Sequence, residues 1–421
     1  MLASTMQPNL DQMTGLGGVR GDALARWQAS GWPDANAEAW RFTRLGALGA
    51  RDLVPAAEAG ETGGISAPAI SEIARDMQAH VIRFYNGMLD LGSLAGLPDG
   101  IVATHSLETD FDAIAGEVAA LAPADHPVGN LSLAAMGSGL RLSVEAGVQI
   151  AQPVLLAFEG EGDNVSAHPV VMVDIGMGAA AVIAEWHQSQ LGLSAPLAAL
   201  RLADKARLDY AKVQAEGADT VHLAATGIAL GEGAVLAGFS ISSGGQLARL
   251  ETHVTLTGEA AECGLSAIYL GRDKQHHDIS TYMDHAVGHC HSNQIIRGVL
   301  DDASRGVFQG KVHVAPDAQK TDGQQMSRAL LMSRKAEADA KPELEIYADD
   351  VICAHGATVG ELDETQLFYL TSRGIPKAKA RAMLIAAFLD DAIDVVEHAA
   401  LAGMLRHISD RWMADVKGVS L

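Results

Sequence analysis

Hydrophobic and polar residues follow different patterns in three successive parts of the chain. In the first part, residues 71–91 carry apolar side chains at near-helical spacing. A capped amphipathic helix is also predicted to begin at Asp22, and the Gly-, Ser- and Thr-rich residues 60–68 are typical of a loop. We therefore predict that residues 1–125 form a mostly helical N-terminal domain.

Residues 126–360 change to short segments in which apolar and polar positions alternate, as in β-strands. Examples are residues 141–144, 199–202, 237–241 and 253–256. Small or acidic turn residues recur between such segments at intervals of about 13 residues or twice that, a loose repeat that suits a stacked β-solenoid. A β-sandwich with evenly spaced strands would show the same spacing, so the pattern alone leaves both architectures open.

Residues 361–421 return to helical spacing, which predicts a C-terminal helical domain. Asp363 is a suitable N-cap for a first helix that Gly374 ends. Pro376 opens a second helix. The third helix carries an apolar stripe made of Leu401, Leu405, Ile408 and Trp412. Such stripes are typical of core packing or of a surface that docks a partner.

Charge and composition exclude several classes of protein. The 421 residues include 30 Lys and Arg against 52 Asp and Glu, a formal net charge of −22. This acidic balance disfavours a nucleic-acid surface and an anionic membrane face. The first ten residues lack the basic start and apolar run of a signal peptide. Three cysteines are too few for a disulfide framework, so we expect a soluble, reduced, cytoplasmic protein.

The candidate chemistry is concentrated between residues 276 and 355, which hold seven of the 16 histidines. Imidazole and thiolate are ligands that zinc, iron and copper prefer. Cys353 and His355 are two residues apart, so on a strand both side chains would point to the same side. His289 and His291 have the same spacing. Any one of these residues could be purely structural, but the group as a whole favours a metal site.

A second histidine group, which includes His285 with His289 and His291, either contributes ligands or satisfies turns at one edge of the β core. No Cys-x-x-Cys motif occurs, so this chain alone is a poor carrier of a permanent iron–sulfur cluster. A cluster bound here would share ligands with another polypeptide. Nucleotide-binding glycine loops and the Gly-x-Ser-x-Gly motif of hydrolases are also absent from the sequence.

A long run of residues in the C-terminal half, together with a short element near the N-terminus, carries a family resemblance. Its clearest parts are residues 318–322 (AQKTD), 342–351 (PELEIYADDV), 353–360 (CAHGATVG), 372–375 (SRGI) and 38–43 (EAWRFT). This pattern resembles the SufB/SufD family of iron–sulfur cluster assembly proteins. The chain length and Gly356, which follows His355 where SufB carries Glu, indicate the SufD branch. Ala354 stands where Ser is usual, and residues 326–328 also depart from the family pattern.

The resemblance implies a mainly β fold, with a right-handed parallel β-helix core between N-terminal and C-terminal helical domains. It also implies pairing with a SufB-like paralogue through the β-helix and docking of the SufC ATPase on the C-terminal helical domain. The family histidine that lies near the metal or cluster at the heterodimer interface falls on His355, with Cys353 beside it.

We therefore expect a non-catalytic scaffold subunit of an ATP-driven complex that acquires iron and assembles nascent clusters. His355 is the expected metal ligand, and Cys353 is the second ligand or a sulfur acceptor. We expect no cofactor to be tightly bound by this chain alone, only a transient iron or iron–sulfur cluster shared with the partner. Two alternatives stay open: a metal-dependent β-solenoid enzyme acting on carbohydrate, and a homodimer with a storage or regulatory role.

Overall fold

The N-terminal part of the chain combines helices with short strands. The computed structural model describes residues 7–8, 16–34, 36–45, 51–56, 68–106, 111–122 and 126–416. Its first strands are β1 (Gln7–Pro8), β2 (Asp52–Pro55), β3 (His80–Tyr85), β4 (Met88–Leu89) and β5 (Ile101–His105). Its first helices are α1 (Gly18–Ser30), α2 (Pro68–Met77), α3 (Phe111–Leu121) and α4 (Pro127–Ala135). Short 3₁₀ turns occur at Glu38–Trp40 and Leu91–Leu94.

The centre of the molecule is a parallel β-helix with two strands in each coil. One sheet contains β6 (Gly139–Val144), β8 (Val170–Ile175), β10 (Leu197–Leu202), β12 (Val221–Leu230), β14 (Leu247–Leu256), β16 (His276–His285), β18 (Arg305–Val314) and β20 (Glu337–Ile346). The other contains β3 with β7 (Val154–Ala167), β9 (Ala180–Ser194), β11 (Arg207–Gln214), β13 (Val235–Ser242), β15 (Glu262–Gly271), β17 (His291–Leu300), β19 (Asp322–Leu331) and β21 (Ile352–Gly360). We call these the even and odd sheets.

The stacking of equivalent residues from coil to coil explains the repeat in the sequence. Val254, Met283 and Val312 are paired in register on three successive even strands, and all three are fully buried between the sheets. The corners that lead from even to odd strands repeatedly place one residue in the left-handed region, at Gly178, Lys205, Gly233, Ala260, His289 and Lys320. The parallel registers decide in favour of the β-helix over the β-sandwich.

Helices cover the outer faces of both sheets. The C-terminal helices are α5 (Glu364–Ser372), α6 (Lys377–Ile393) and α7 (Ala399–Ala414). Leu389 of α6 and Leu405 of α7 pack with Trp186 and Val213 on the outer face of the odd sheet. Helices α3 and α4 cover the first coils of the even sheet, where Ile114 packs with buried residues of β8 and β10. The predicted β-helix core with helices on both sides is therefore confirmed.

Local predictions had mixed outcomes. Asp363 caps α5 by accepting a hydrogen bond from the Thr365 amide, and α6 begins directly after Pro376, as expected. The helix predicted over residues 71–91 is wrong beyond Met77, because Gln78 has a φ of 53° and the following residues form β3. Most of the loop predicted at residues 60–68 lies outside the described residues. No helix in the described ranges is long and apolar enough to cross a bilayer.

Candidate functional site

The predicted metal ligands lie on the last strand of the β-helix. Strand β21 pairs in parallel with β19, and none of the other described strands pairs with its second edge. Cys353 and His355 are separated by one residue on β21, so both side chains point to the same side of the strand. The structure therefore brings together the two residues that the sequence predicted, at an open edge of the fold.

The two side chains have different environments. Cys353 is half-buried and packs against the apolar core between the sheets, whereas His355 is exposed. Burial raises the pKa of the Cys353 thiol above its ordinary value, so a metal has to displace its proton. One thiolate and one imidazole leave at least half of a tetrahedral coordination sphere unfilled. This pair can hold a metal tightly only with ligands from elsewhere.

Among the described residues, the three members of the second histidine group do not come together as a three-ligand cluster. His285 lies in the interior and shares a hydrogen bond of 2.9 Å with Ser292, and burial lowers its pKa to about 4. His289 occupies the corner before β17 with a φ of 61°, so the strand spacing assumed for His289 and His291 does not apply. His291 is exposed on β17, 3.8 Å from Asp322. These three side chains face different surroundings.

The N-terminal family element has a structural role on the outer face of the even sheet. Trp40 stacks under the Arg249 guanidinium, whose centre is 4.2 Å from the ring centroid. Arg249 also forms an ion pair with Asp278, which accepts a hydrogen bond from Thr43. The element thus anchors the N-terminal segment to β14 and β16. Its residues were part of the resemblance, but this contact joins residues more than 200 positions apart and could not be predicted from the sequence.

Sequence reasoning missed a buried polar cluster between the two sheets. Its members His187, Glu216 and His222 lie on or next to β9, β11 and β12, far in sequence from the 276–355 region. Each is at most 5% exposed. The available signal was the presence of polar residues within the predicted strands. The alternation of apolar and polar residues alone does not say which side of a strand faces the interior.

Charged residues border this cluster and stabilise it. Glu185 lies 2.9 Å from His187 Nε2 and 3.2 Å from the Lys212 ammonium, and it accepts a hydrogen bond from Tyr210. Burial by itself would raise the pKa of Glu185, but Lys212 and the hydrogen bonds from His187 and Tyr210 lower it to about 2. Burial lowers the pKa of His187, which favours the neutral form of its imidazole, although Glu185 acts in the opposite direction. The interior therefore pairs a carboxylate of lowered pKa with an imidazole whose pKa is also lowered.

Comparisons with known proteins agree with this architecture. Residues 158–388 match the family model described as "SUF system FeS cluster assembly, SufBD core domain". The chain is 35% identical over 269 residues to the iron–sulfur cluster assembly protein SufD of Escherichia coli (strain K12), a match that covers 62% of this chain and 63% of that protein, less than two thirds of its length. It is 30% identical over 397 residues to an iron–sulfur cluster assembly SufBD family protein of Synechocystis, covering 89% of this chain and 86% of that protein.

The family model covers more than half of the chain, and its matched region contains most of the β-helix together with Cys353 and His355. The Synechocystis match covers 89% of the chain, so it extends beyond the region that the family model matches. These matches and the parallel β-helix give the same assignment as the sequence motifs. The chain belongs to the SufB/SufD family of the iron–sulfur cluster assembly (SUF) system and is SufD-like.

Proposed function

We propose that this chain is a non-catalytic, cytoplasmic scaffold subunit of an ATP-driven iron–sulfur cluster assembly complex. It pairs with a SufB-like paralogue through the β-helix and contributes His355, with Cys353, to a transient iron or iron–sulfur site at the subunit interface. The ATPase activity belongs to a SufC-like partner. The observation that carries this proposal is the position of an incomplete Cys/His donor pair on an unpaired edge strand.

The edge position supports a shared site. An unpaired strand offers its backbone N–H and C=O groups to a strand of another chain. Large apolar side chains are exposed at the same end of the β-helix, namely Tyr347, Ile352 and Val359. A paralogue paired here would bring its own side chains next to His355. The missing ligands would then come from the partner, which fits a site that forms only in the complex.

The donor set supports transient binding. A cluster held permanently by one chain is usually bound by four thiolates. Here one half-buried thiol with a raised pKa and one exposed imidazole are available. Such a site holds its cargo weakly unless the partner is in place, so a conformational change that separates the subunits would release it. A scaffold that assembles a cluster and then releases it requires such weak, partner-dependent binding.

The C-terminal helices support docking of an ATPase. Phe368 and Tyr369 on α5 and Met383 on α6 are exposed large apolar residues close together in sequence. The opposite sides of α6 and α7 are buried against the odd sheet. Exposed apolar residues on a helix pair that is already anchored to the core are typical of a surface that binds another protein.

The proposal is tested by His355→Ala in cells whose iron–sulfur enzymes depend on this pathway. We expect enzyme maturation to fall towards the level of cells that lack the chain, because the interface site loses its imidazole ligand. Thr358→Ala is the matched control, since Thr358 is exposed on the same strand but points to its other side. Unchanged maturation in the His355 variant, with normal protein levels, would refute the role of this residue.

A further inference from the structure

The buried cluster of His187, Glu216 and His222 has the arrangement of a metal site. One ring nitrogen from each histidine and one carboxylate oxygen of Glu216 lie within 4.8 Å of one another. The three residues come from separate passes of the chain through the coils formed by β9, β11 and β12. No other group of three potential ligands within this distance occurs among the residues that the structure describes.

Several polar atoms of this cluster lack hydrogen-bond partners. His187 Nδ1 and both ring nitrogens of His222 are buried without a hydrogen bond. His222 Nδ1 lies 2.8 Å from a carboxylate oxygen of Glu216, but the contact does not have hydrogen-bond geometry. Because leaving a buried polar atom unpaired is costly, His187 Nδ1 and His222 Nε2, which have no partner, indicate a missing ligand beside the Glu216 carboxylate.

The surrounding residues orient the cluster in the way that protein metal sites require. Glu185 pairs with Nε2 of His187, so Nδ1 is the ring nitrogen left for a metal. A histidine that contacts a carboxylate through one nitrogen and a metal through the other is a common arrangement, which fixes the ring and raises its basicity. Gln214 donates a hydrogen bond of 3.0 Å to Glu216 and holds that carboxylate in place.

We propose that His187, Glu216 and His222 form a buried site for a divalent transition metal of the Zn²⁺ or Fe²⁺ type. Two imidazoles and one carboxylate are a ligand set that these ions use, with further positions open for water or another ligand. Two carboxylates, Glu185 and Glu216, face one ammonium, Lys212, in this part of the interior, so a cation also improves the local charge balance.

Two surface cavities lie next to this site. Glu216 lines two surface cavities, of about 500 Å³ and about 230 Å³. The smaller cavity is also lined by Ser189, whose hydroxyl lies 3.3 Å from Glu216. Glu216 is the ligand that lines these cavities, but its side chain is only 1% exposed, so the three ligand side chains are shielded from solvent. The site is several coils away from Cys353 and His355 on β21, so it does not depend on the proposed function.

The experiment uses the full chain carrying Cys353→Ser and His355→Ala, so that the other donor pair cannot contribute. After treatment with a chelator, Co²⁺ is added as a spectroscopic probe and Zn²⁺ as a competitor. We expect one Co²⁺ per chain with visible absorption bands of nitrogen and oxygen coordination. We also expect metal to raise the midpoint of thermal unfolding, since it binds only the folded state. A chain that takes up no stoichiometric metal and shows no such shift would overturn the proposal.

Variants separate this site from adventitious binding. Glu216→Gln and His222→Gln each remove a ligand with little change in volume, and we expect each to weaken Co²⁺ binding by about 100-fold or more. His277→Asn is the matched control, because His277 is also a buried interior histidine but bonds to Ser242 and lies outside the cluster. If this control loses as much affinity as the ligand variants, or if the ligand variants lose none, the assignment is wrong. Circular dichroism verifies that each variant is folded.

Discussion

At the scale of single residues, the interior of the later coils is most crowded around the ring of Tyr269. Gly298 is the in-register partner of Tyr269 on the neighbouring odd strand. A Cβ atom at Gly298 would lie 2.0 Å from Tyr269 Cε2, and one at Gly306 would lie 2.3 Å from the same atom. Tyr269 is fully buried and has little room to move. Glycine is required here by close approach to the ring.

Gly298→Ala should therefore destabilise the protein, because the added methyl forces the Tyr269 ring or a strand to shift. Overpacking of this kind costs about 1–3 kcal/mol or more. The measurement is the midpoint of thermal or denaturant unfolding. Gly403→Ala on α7 is the control: nothing lies within 4 Å of its added methyl. Alanine in a helix interior is favoured over glycine by about 1 kcal/mol, so the control should be slightly stabilised. Equal midpoints for the two variants would contradict this prediction.

The sequence predicted one candidate site but missed the other, for a physical reason. Cys353 and His355 stand out because a known motif contains them and strand spacing puts them on one side. His187 lies in a strand whose two faces are both buried, one in the interior and one under α6 and α7, where Trp186 packs. When both faces of a strand are buried, the alternation of apolar and polar residues no longer shows which face points to the interior. Only the coil stacking, which places Lys212 beside Glu185, reveals the cluster.

At the scale of elements, the unpaired edge of β21 is the feature with the clearest consequence. We expect Val359→Lys to weaken pairing with a SufB-like paralogue, because a charged side chain on an edge strand opposes the addition of another strand. Val359 is exposed, so the isolated chain should unfold at an unchanged midpoint. Gel filtration of the chain with and without the paralogue measures the effect and also detects a homodimer.

The matched control for this pairing experiment is Val102→Lys. Val102 is also exposed and lies on β5, which closes the opposite end of the even sheet by pairing antiparallel with β6. This variant should associate as the unaltered chain does. Equal association of both lysine variants would show that β21 is not the pairing edge, whereas loss of association in both would indicate a general effect of added charge.

The element that the sequence predicted wrongly is also instructive. Residues 71–91 have apolar side chains that fit a helix, yet the helix ends at Met77. In β3, Ile82 and Phe84 alternate inward and are completely buried in the interior of the first coils. Over so few residues, the same apolar side chains fit both the spacing of a helix and the alternation of a strand. Pairing with β7, a partner distant in sequence, decides the conformation.

At the scale of the whole molecule, the buried Glu185–Lys212 pair makes stability depend on acidity. The folded-state pKa of Glu185 is about 2, against an ordinary value of 4.5. Its stabilising effect is therefore complete above pH 4.5 and is lost as the pH falls towards 2. A shift of this size corresponds to on the order of 3 kcal/mol. Glu185→Gln should lower stability near neutral pH and flatten its decline in acid.

Denaturant unfolding of the unaltered chain and of Glu185→Gln between neutral pH and pH 2 provides the measurement. Glu361→Gln serves as the control, because Glu361 is an exposed carboxylate after the last strand. The difference between the unaltered chain and Glu185→Gln should shrink as the pH falls, while the control should follow the unaltered chain throughout. A difference that stays constant with pH would mean that this carboxylate does not carry the effect.

The two ends of the β-helix differ, and this difference limits how copies can associate. At one end, antiparallel β5 and helices α3 and α4 cover the first coils, while at the other β21 has a free edge. A β-helix that could pair with another copy at each of its two ends would assemble into a filament. If two chains join through their β21 edges, those edges are used up, so this contact by itself produces a pair and not a filament. The same holds whether the second member is an identical copy or a paralogue.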